Sequence, residues 1–418
     1  MKKILFKAPV LTRSGYGEQS RFALRALRTR KDLDIYIQPL QWGKTGWLND
    51  ESEERVWIDQ TIEKTIHYIQ QGGQFDVSLQ VTIPNEWERL APINIGYTAG
   101  IETTAVAPLW LQQANNMNKI IVVSNHSKHV YERTSYEARN EQTGETQTVR
   151  TTTPITAVNY PVKLYDNLEA LDLNLEYDFN FVCMAQMGPR KNVYNTIKWF
   201  VEEFHDEKVG LIVKTNLAKN CLMDREHVRG QIKIMLENTY PHRTCKVYLL
   251  HGDMSDEEVH ALYLNDKVKA GVLLSHGEGF GLPLFEAAYS GIPVITSGWS
   301  GQLDFLCDEK QKDRFYNVAF DLQPVPPEAV WENVITAESM WAYPRENSAK
   351  ELMRQCYNDV TNQTEGTHAV GACEYALELR ERFEEQKMYK QFVDALGIEE
   401  EDFNVEGWLE SLDIETIT

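Results

Sequence analysis

Two carboxylates, Glu278 and Glu286, stand eight positions apart in the stretch 271–301, GVLLSHGEGFGLPLFEAAYSGIPVITSGWSG. A carboxylate accepts two hydrogen bonds at once, which suits the vicinal hydroxyls of a sugar or a ribose. The elements that must position this pair follow from the same residues. The apolar run at 271–274 predicts a buried parallel strand. A loop, SHGEGFG, comes next, and Pro283 marks the first helical position, where a missing amide costs nothing. The helix then covers 284–289, with Glu286 in its first turn, and 292–296 reads as the next strand. This places a polar loop and a helix N-terminus at the carboxyl end of a strand, where α/β sheets bind ligands and where phosphate is favoured. A purely electrostatic role for Glu286 at its helix start is the plain alternative.

Two further groups have the chemistry of a phosphate site. Arg190 and Lys191, in MAQMGPRKN, fall at a helix start, where cations are disfavoured unless an anion joins them. Gly15 and Gly17, between the first strand and the first helix, offer amides that a phosphate can approach closely. The pattern G-x-G-x-x-S also evokes a dinucleotide site, but such a site wants an acid at the end of the second strand. That strand ends Pro39-Leu40-Gln41, which argues against nicotinamide binding. Lys214, ending another strand, is a weaker cleft cation.

The stretch E-G-F-G-L-P-L-F-E followed by G-I-P-V-I resembles the signature of the retaining GT-B glycosyltransferases, glycosyltransferase family 4. The resemblance implies that Glu278 faces the donor sugar and Glu286 holds the ribose, with Gly279, Phe280, Gly281 and Leu282 completing the donor loop. It also implies that Gly15 and Gly17 line the cleft near the donor phosphates and that Lys191 meets the diphosphate. Gln186 stands where that family has an arginine, and Arg190 is the neighbouring residue able to supply the charge. Family members carry a histidine after the fourth strand; this chain has Gly100-Ile101-Glu102-Thr103 there. Glu102 is therefore the candidate for positioning or deprotonating the acceptor. The resemblance further implies retention of configuration and a UDP- or GDP-linked sugar as co-substrate with no cofactor beyond it; no metal is expected, since nothing in the sequence provides a metal cage on a loop.

Four histidines invite a metal reading, but His126, His129, His251 and His276 have no H-x-x-x-H spacing. His251 follows a strand and is a candidate wall for the nucleobase; His276 adjoins Gly277-Glu278. The six cysteines form no C-x-x-C pair, which argues against structural zinc and a disulfide framework and fits a cytoplasmic protein. No apolar run approaches the roughly 20 residues of a membrane span, and the opening MKKILFKAPVLTR reads as a first strand and not a signal peptide.

Alternating strands and helices predict an α/β fold: two doubly wound Rossmann-like domains facing across a cleft. The expected boundaries are 1–165 for the acceptor-side domain, 166–379 for the nucleotide-sugar domain, and a crossing helix (373–396) that returns to the first domain with the tail, about 380–418. Within the first domain a helix is expected over 126–139, then an exposed loop or hairpin.

The net charge of −20 is uneven, with 19 Lys/Arg against 17 Asp/Glu in residues 1–165 and 23 against 45 thereafter. The whole is too acidic for a general nucleic-acid binder. Yet the first 31 residues hold nine basic side chains against Glu18 alone. Arg21, Arg25 and Arg28 share one helix face, either a solvated surface or, for Arg21 and Arg25, a site for an anionic acceptor. A saccharide is the acceptor class that the family resemblance favours. The stretches ILFKAPVLTRSGYG, GYTAGIETT and WAYPREN are similar to glycosyltransferases of tailed bacteriophages, some of which act on hydroxymethylated bases in DNA. Modified double-stranded DNA is thus the alternative acceptor.

Overall fold

The computed structural model describes residues 1–139 and 144–400. The first half runs β1 (Lys2–Ala8), α1 (Gly15–Arg28), β2 (Leu33–Pro39), α2 (Glu53–Gln70), β3 (Val77–Val81), β4 (Ile93–Thr98), α3 (Pro108–Ala114), β5 (Lys119–Val122), α4 (Asn125–Arg133), β6 (Ser135–Arg139), β7 (Thr146–Arg150) and β8 (Ile155–Ala157). Six of these strands form one parallel sheet in the order β2-β1-β3-β4-β5-β8. Burial on both faces explains their apolar composition: Ile4, Phe6, Val77, Leu79, Ile121 and Val122 are all sealed from solvent.

The second half runs β9 (Asn180–Met184), α5 (Val193–Glu203), β10 (Gly210–Lys214), α6 (Leu222–Thr239), β11 (Lys246–Leu250), α7 (Asp256–Tyr263), β12 (Val268–Val272), α8 (Leu282–Tyr289), β13 (Val294–Ser297), α9 (Leu303–Leu306) and β14 (Tyr316–Val318). Its sheet is also six-stranded and parallel, in the order β11-β10-β9-β12-β13-β14. The chain continues through β15 (Phe320–Pro324), β16 (Met340–Pro344), α10 (Glu346–Asn362), α11 (His368–Arg382) and α12 (Glu385–Leu396). Two doubly wound α/β sheets therefore stand in one chain, as the alternation of strands and helices implies.

Three local expectations change. The helix expected over 126–139 ends at Arg133. Ser135–Arg139 instead pairs antiparallel with Thr146–Arg150, and the Tyr136 hydroxyl donates to the Val106 carbonyl at 2.6 Å. Strand pairing outcompetes helix here because it satisfies a backbone ladder that an isolated helix end would leave open; residues 140–143 lie outside the described ones. The α8 helix starts at Leu282, so Pro283 is its second residue, and Glu286 falls just past the first turn.

The single crossing helix expected over 373–396 is two helices that break at Phe383 and Glu384. Glu384 caps α12 by accepting from the amides of Gln386 and Lys387. α11 stays on the second domain, where the Tyr375 hydroxyl donates to the Phe305 carbonyl. α12 returns to the first, where Phe392 packs on Phe22 and Tyr97 with ring centroids 5.4 and 5.0 Å away. Of the acidic tail that begins at Glu399, residues 401–418 lie outside the described residues.

Candidate functional site

The two sheets present their carboxyl ends to one another, and the loops there meet. Glu278 lies at the seam, buried, with its amide bonded to the Ser300 hydroxyl at 2.8 Å. Lys191 Nζ sits 2.7 Å from both of its carboxylate oxygens. Arg190 Nη1 lies 3.1 Å from Glu278 Oε2 and donates to the Gly277 carbonyl at 2.6 Å. The other guanidinium nitrogen, Nη2, reaches Glu102 of the first domain at 3.4 Å. Burial alone would raise the Glu278 carboxyl, but Lys191 and Arg190 together hold it down at about 2. Burial lowers Lys191 itself, against the pull of Glu278. Glu278, the adjacent pair Arg190 and Lys191, and Glu102, three places far apart in the chain, therefore form one charge cluster spanning both domains.

Glu286 faces a different environment, a recess of about 30 Å³ lined by Glu18, Arg25, Tyr160, Lys163, Tyr289 and Tyr389, among others. That is room for a water or two and not for a nucleoside, so a ligand must part these walls. Burial pushes the Glu286 carboxyl up to about 8; Lys163 opposes the shift, and Asp256 and Glu18 add to it. The larger cavity, about 560 Å³ between α6 and β11, is lined mainly by apolar and basic side chains away from both glutamates. We assign the site to the seam, where the charges converge.

Gly15 and Gly17 open α1, with Ser14 as the cap accepting from the Gly17 amide at 3.0 Å. A side chain at Gly17 would collide with the Thr12 carbonyl, whereas Gly15 faces open space. The Gly279 backbone sits so close to Ala99 of the first domain that a Cβ there would collide with the Ala99 carbonyl. Gly281 caps α8 at φ 96°, a conformation that costs glycine little. Leu282 begins that helix half-buried. Phe280 does not face the cleft: it is buried against Tyr160, Phe285 and Phe305. Gln186, at the position where an arginine was expected, donates to the Leu217 carbonyl.

Three readings from the sequence do not fit their side chains' surroundings. Arg21 is buried, donating to the Val10 and Thr12 carbonyls and pairing with Glu18. Arg25 is bound bidentately by Glu54 at 2.7 Å for both bonds. Arg28 stays exposed over the Trp57 ring, so each of the three arginines expected on one basic face of α1 is engaged by a partner on the first domain. His251 Nε2 lies 2.9 Å from Asp224, which also accepts from the amides of Leu217, Ala218 and Lys219. Its imidazole, almost sealed from solvent, thus secures the loop before α6. Lys214 Nζ is spent on the Gly252 carbonyl. Among the described residues no group of three or more His, Cys, Asp and Glu side chains gathers to hold a metal ion.

Residues 242–317 match the model of the family described as Glycosyl transferases group 1. The serotype-specific mannosyltransferase WbdA of Escherichia coli is 32% identical over 135 residues, which are 31% of this chain and only 15% of that relative's length. Across nearly the whole chain the likeness is structural. The Anabaena HepE protein, solved in complex with UDP and glucose, superposes with a TM-score of 0.57 at 13% identity, covering 95% of this chain and all of that one. Sucrose-phosphate synthase from Thermosynechococcus elongatus gives 0.58 at 13% identity, covering 94% and 98%. The fold is GT-B. The family match takes in Glu278 and Glu286.

Within the GT-B frame, several contacts at the seam had no signal in sequence spacing. Lys163 Nζ is 2.7 Å from Glu18 of α1 and 2.7 Å from Asp256 of α7, tying both domains to the segment between them. Asp304 of the second domain accepts from Asn125 and Asn159 of the first. Asn125 follows Ser124 at a strand end, a polar pair that could have marked it; Lys163 carried no such cue.

Proposed function

We propose that this chain transfers a sugar from a nucleoside diphosphate sugar, UDP- or GDP-linked, to a hydroxyl of a saccharide, with retention of configuration. The observation that carries the proposal is the part-buried cluster in which Lys191 and Arg190 bracket the buried Glu278 where the two sheets face each other. Two cations beside a carboxylate that accepts sugar hydroxyls are what the reaction demands. The bond from the anomeric carbon to the diphosphate breaks, negative charge grows on the leaving phosphate, and the ring gains positive character. Arg190 and Lys191 are placed to meet the phosphate and Glu278 the sugar. In this reading the domains part to admit the donor. The two cations then exchange part of their hold on Glu278 for the diphosphate, and the ribose hydroxyls bind a deprotonated Glu286. Glu102, on the first domain and engaged by Arg190, is assigned to the acceptor side. The attacking hydroxyl approaches on the face the phosphate leaves, forms the new bond to the anomeric carbon and passes its proton to the departing phosphate oxygen.

The reading is supported by the solved GT-B structures that bind UDP and sugars, and by the partial likeness to a mannosyltransferase. The decisive experiment is a panel of nucleotide sugars scored for nucleotide release, run alone, with saccharide acceptors and with hydroxymethylated double-stranded DNA. Release that rises with a saccharide supports the proposal; release only with DNA replaces its acceptor; no release from any donor ends it. With Arg21 and Arg25 spent within the first domain, no observation favours the DNA arm.

A further inference from the structure

His276 is buried beside Glu278 and bonded to separate parts of the site. Its backbone amide donates to the Arg190 carbonyl at 2.8 Å. Its Nδ1 lies 2.8 Å from the Ala342 carbonyl, and the Ala342 amide donates back to the His276 carbonyl at 3.0 Å. A carbonyl only accepts, so Nδ1 carries the ring proton. The ring lies nearly parallel to Trp341, 7° between planes with centroids 5.7 Å apart, and 4.4 Å from the ring of Tyr343.

Trp341, Ala342 and Tyr343 all belong to β16, in a two-stranded hairpin outside both large sheets. That hairpin is also held by the first domain. The Thr104 amide donates to the Met340 carbonyl at 3.2 Å, and the Met340 amide donates to the Thr104 hydroxyl at 2.9 Å. In the segment joining its strands, the turn Pro327–Ala329 rests on the turn Pro189–Lys191, and the Asn333 carbonyl accepts from Asn85 of the first domain at 3.1 Å. Contacts therefore run without a gap from Thr104 through Met340, Ala342 and His276 to Arg190 and, one residue beyond Gly277, to Glu278.

We infer that His276 is a positioning residue for the glycosyl transfer proposed above: it clamps β16 to the Glu278 loop and the Arg190 turn, so that the first domain's hold on Met340 fixes the charge cluster in working geometry. The inference rests on that functional reading. The ring proton is spent on Ala342 and two aromatic rings cover the imidazole, which leaves it badly placed to exchange protons with a substrate. Burial, with Arg190 nearby, also keeps it uncharged at neutral pH. What the side chain supplies is a fixed distance.

The test compares His276→Ala with His276→Asn, whose amide nitrogen can take the place of Nδ1 and donate to Ala342. His276→Ala is expected to lower kcat at saturating donor by about 100-fold, the loss typical of misplacement by about 1 Å. His276→Asn should restore most of that rate, and calorimetry should show both variants binding UDP or GDP like the wild type. Wild-type kcat in His276→Ala overturns the inference. So does a His276→Asn variant as slow as His276→Ala, because the imidazole would then act chemically. If the wild-type protein releases nucleotide from no donor, the functional reading fails, and the clamp is judged by hydrogen exchange of the 276–279 amides. Faster exchange in His276→Ala than in His276→Asn supports it, and equal exchange overturns it.

Discussion

Lys191 and the buried Glu278 form a part-buried ion pair in which one ammonium contacts both carboxylate oxygens at 2.7 Å. Without ligand, the cation assigned to the diphosphate and the carboxylate assigned to the sugar neutralise each other. A donor that brings both phosphate and hydroxyls compensates each of them for the bond it gives up. A free sugar or free phosphate compensates one and leaves the other buried and short of a partner, which is costly. This favours the intact donor over its fragments.

Removing Lys191 tests its part in catalysis. Lys191→Ala is expected to lower kcat at saturating donor by about two orders of magnitude, comparable to losing one oxyanion-hole donor. Because Glu278 would then depend on Arg190 alone to stay low, its carboxyl should titrate higher, measurable by following activity or tryptophan fluorescence against pH. An unchanged kcat would remove Lys191 from the mechanism.

Glu286 makes nucleotide binding proton-linked. Its carboxyl, pushed up to about 8 by burial, holds a proton at neutral pH, yet ribose hydroxyls donate best to a carboxylate. Binding should therefore release close to one proton below pH 8. Affinity for UDP or GDP should climb by as much as tenfold per unit from pH 6 to 8, then level off. Calorimetry in two buffers of different ionisation enthalpy counts that proton directly. The same shift has a sign for folding. Between the ordinary carboxyl value and 8 the folded state keeps a proton that the unfolded state has lost, so stability from this group falls as pH rises through that window. Glu286→Gln should melt higher than wild type at pH 8 and bind nucleotide more weakly.

Lys163 should govern how readily the two halves separate. Its bonds to Glu18 and Asp256 are partly exposed, and such pairs are worth up to about 1 kcal/mol each. Lys163→Met is expected to increase the radius of gyration in small-angle scattering and to speed nucleotide release several-fold, with little change in melting temperature. Scattering identical to wild type would show that the bridge does not hold the closed form.

Two glycines separate closure from folding. A methyl at Gly279 would meet Ala99 and Val123 of the first domain, whereas one at Gly17 would meet Thr12 of its own domain. Overpacking of this kind costs about 1–3 kcal/mol. Gly279→Ala should therefore melt almost normally and bind nucleotide, but lose tenfold or more in kcat, while Gly17→Ala should lower the melting temperature. Chemical denaturation and steady-state kinetics on both variants distinguish the two.

The alternation of apolar strands with helices, the loop and helix around Glu278 and Glu286, and the cations at Arg190 and Lys191 were legible because each depends on residues a few positions apart. A strand's burial, a helix start and an E-x7-E spacing are written locally. The fate of Arg21, Arg25 and His251 was not: their residue types were right for binding, but their respective partners Val10, Glu54 and Asp224 are set by packing. The hairpin that holds His276 was invisible for the same reason, since Ala342 lies 66 positions away along the chain. Sequence by itself determined which side chains carry charge and on which kind of element they sit. Tertiary structure alone decided which charges meet, because a charge acts across a few ångströms of low-dielectric interior on whatever the fold brings there, however distant along the chain.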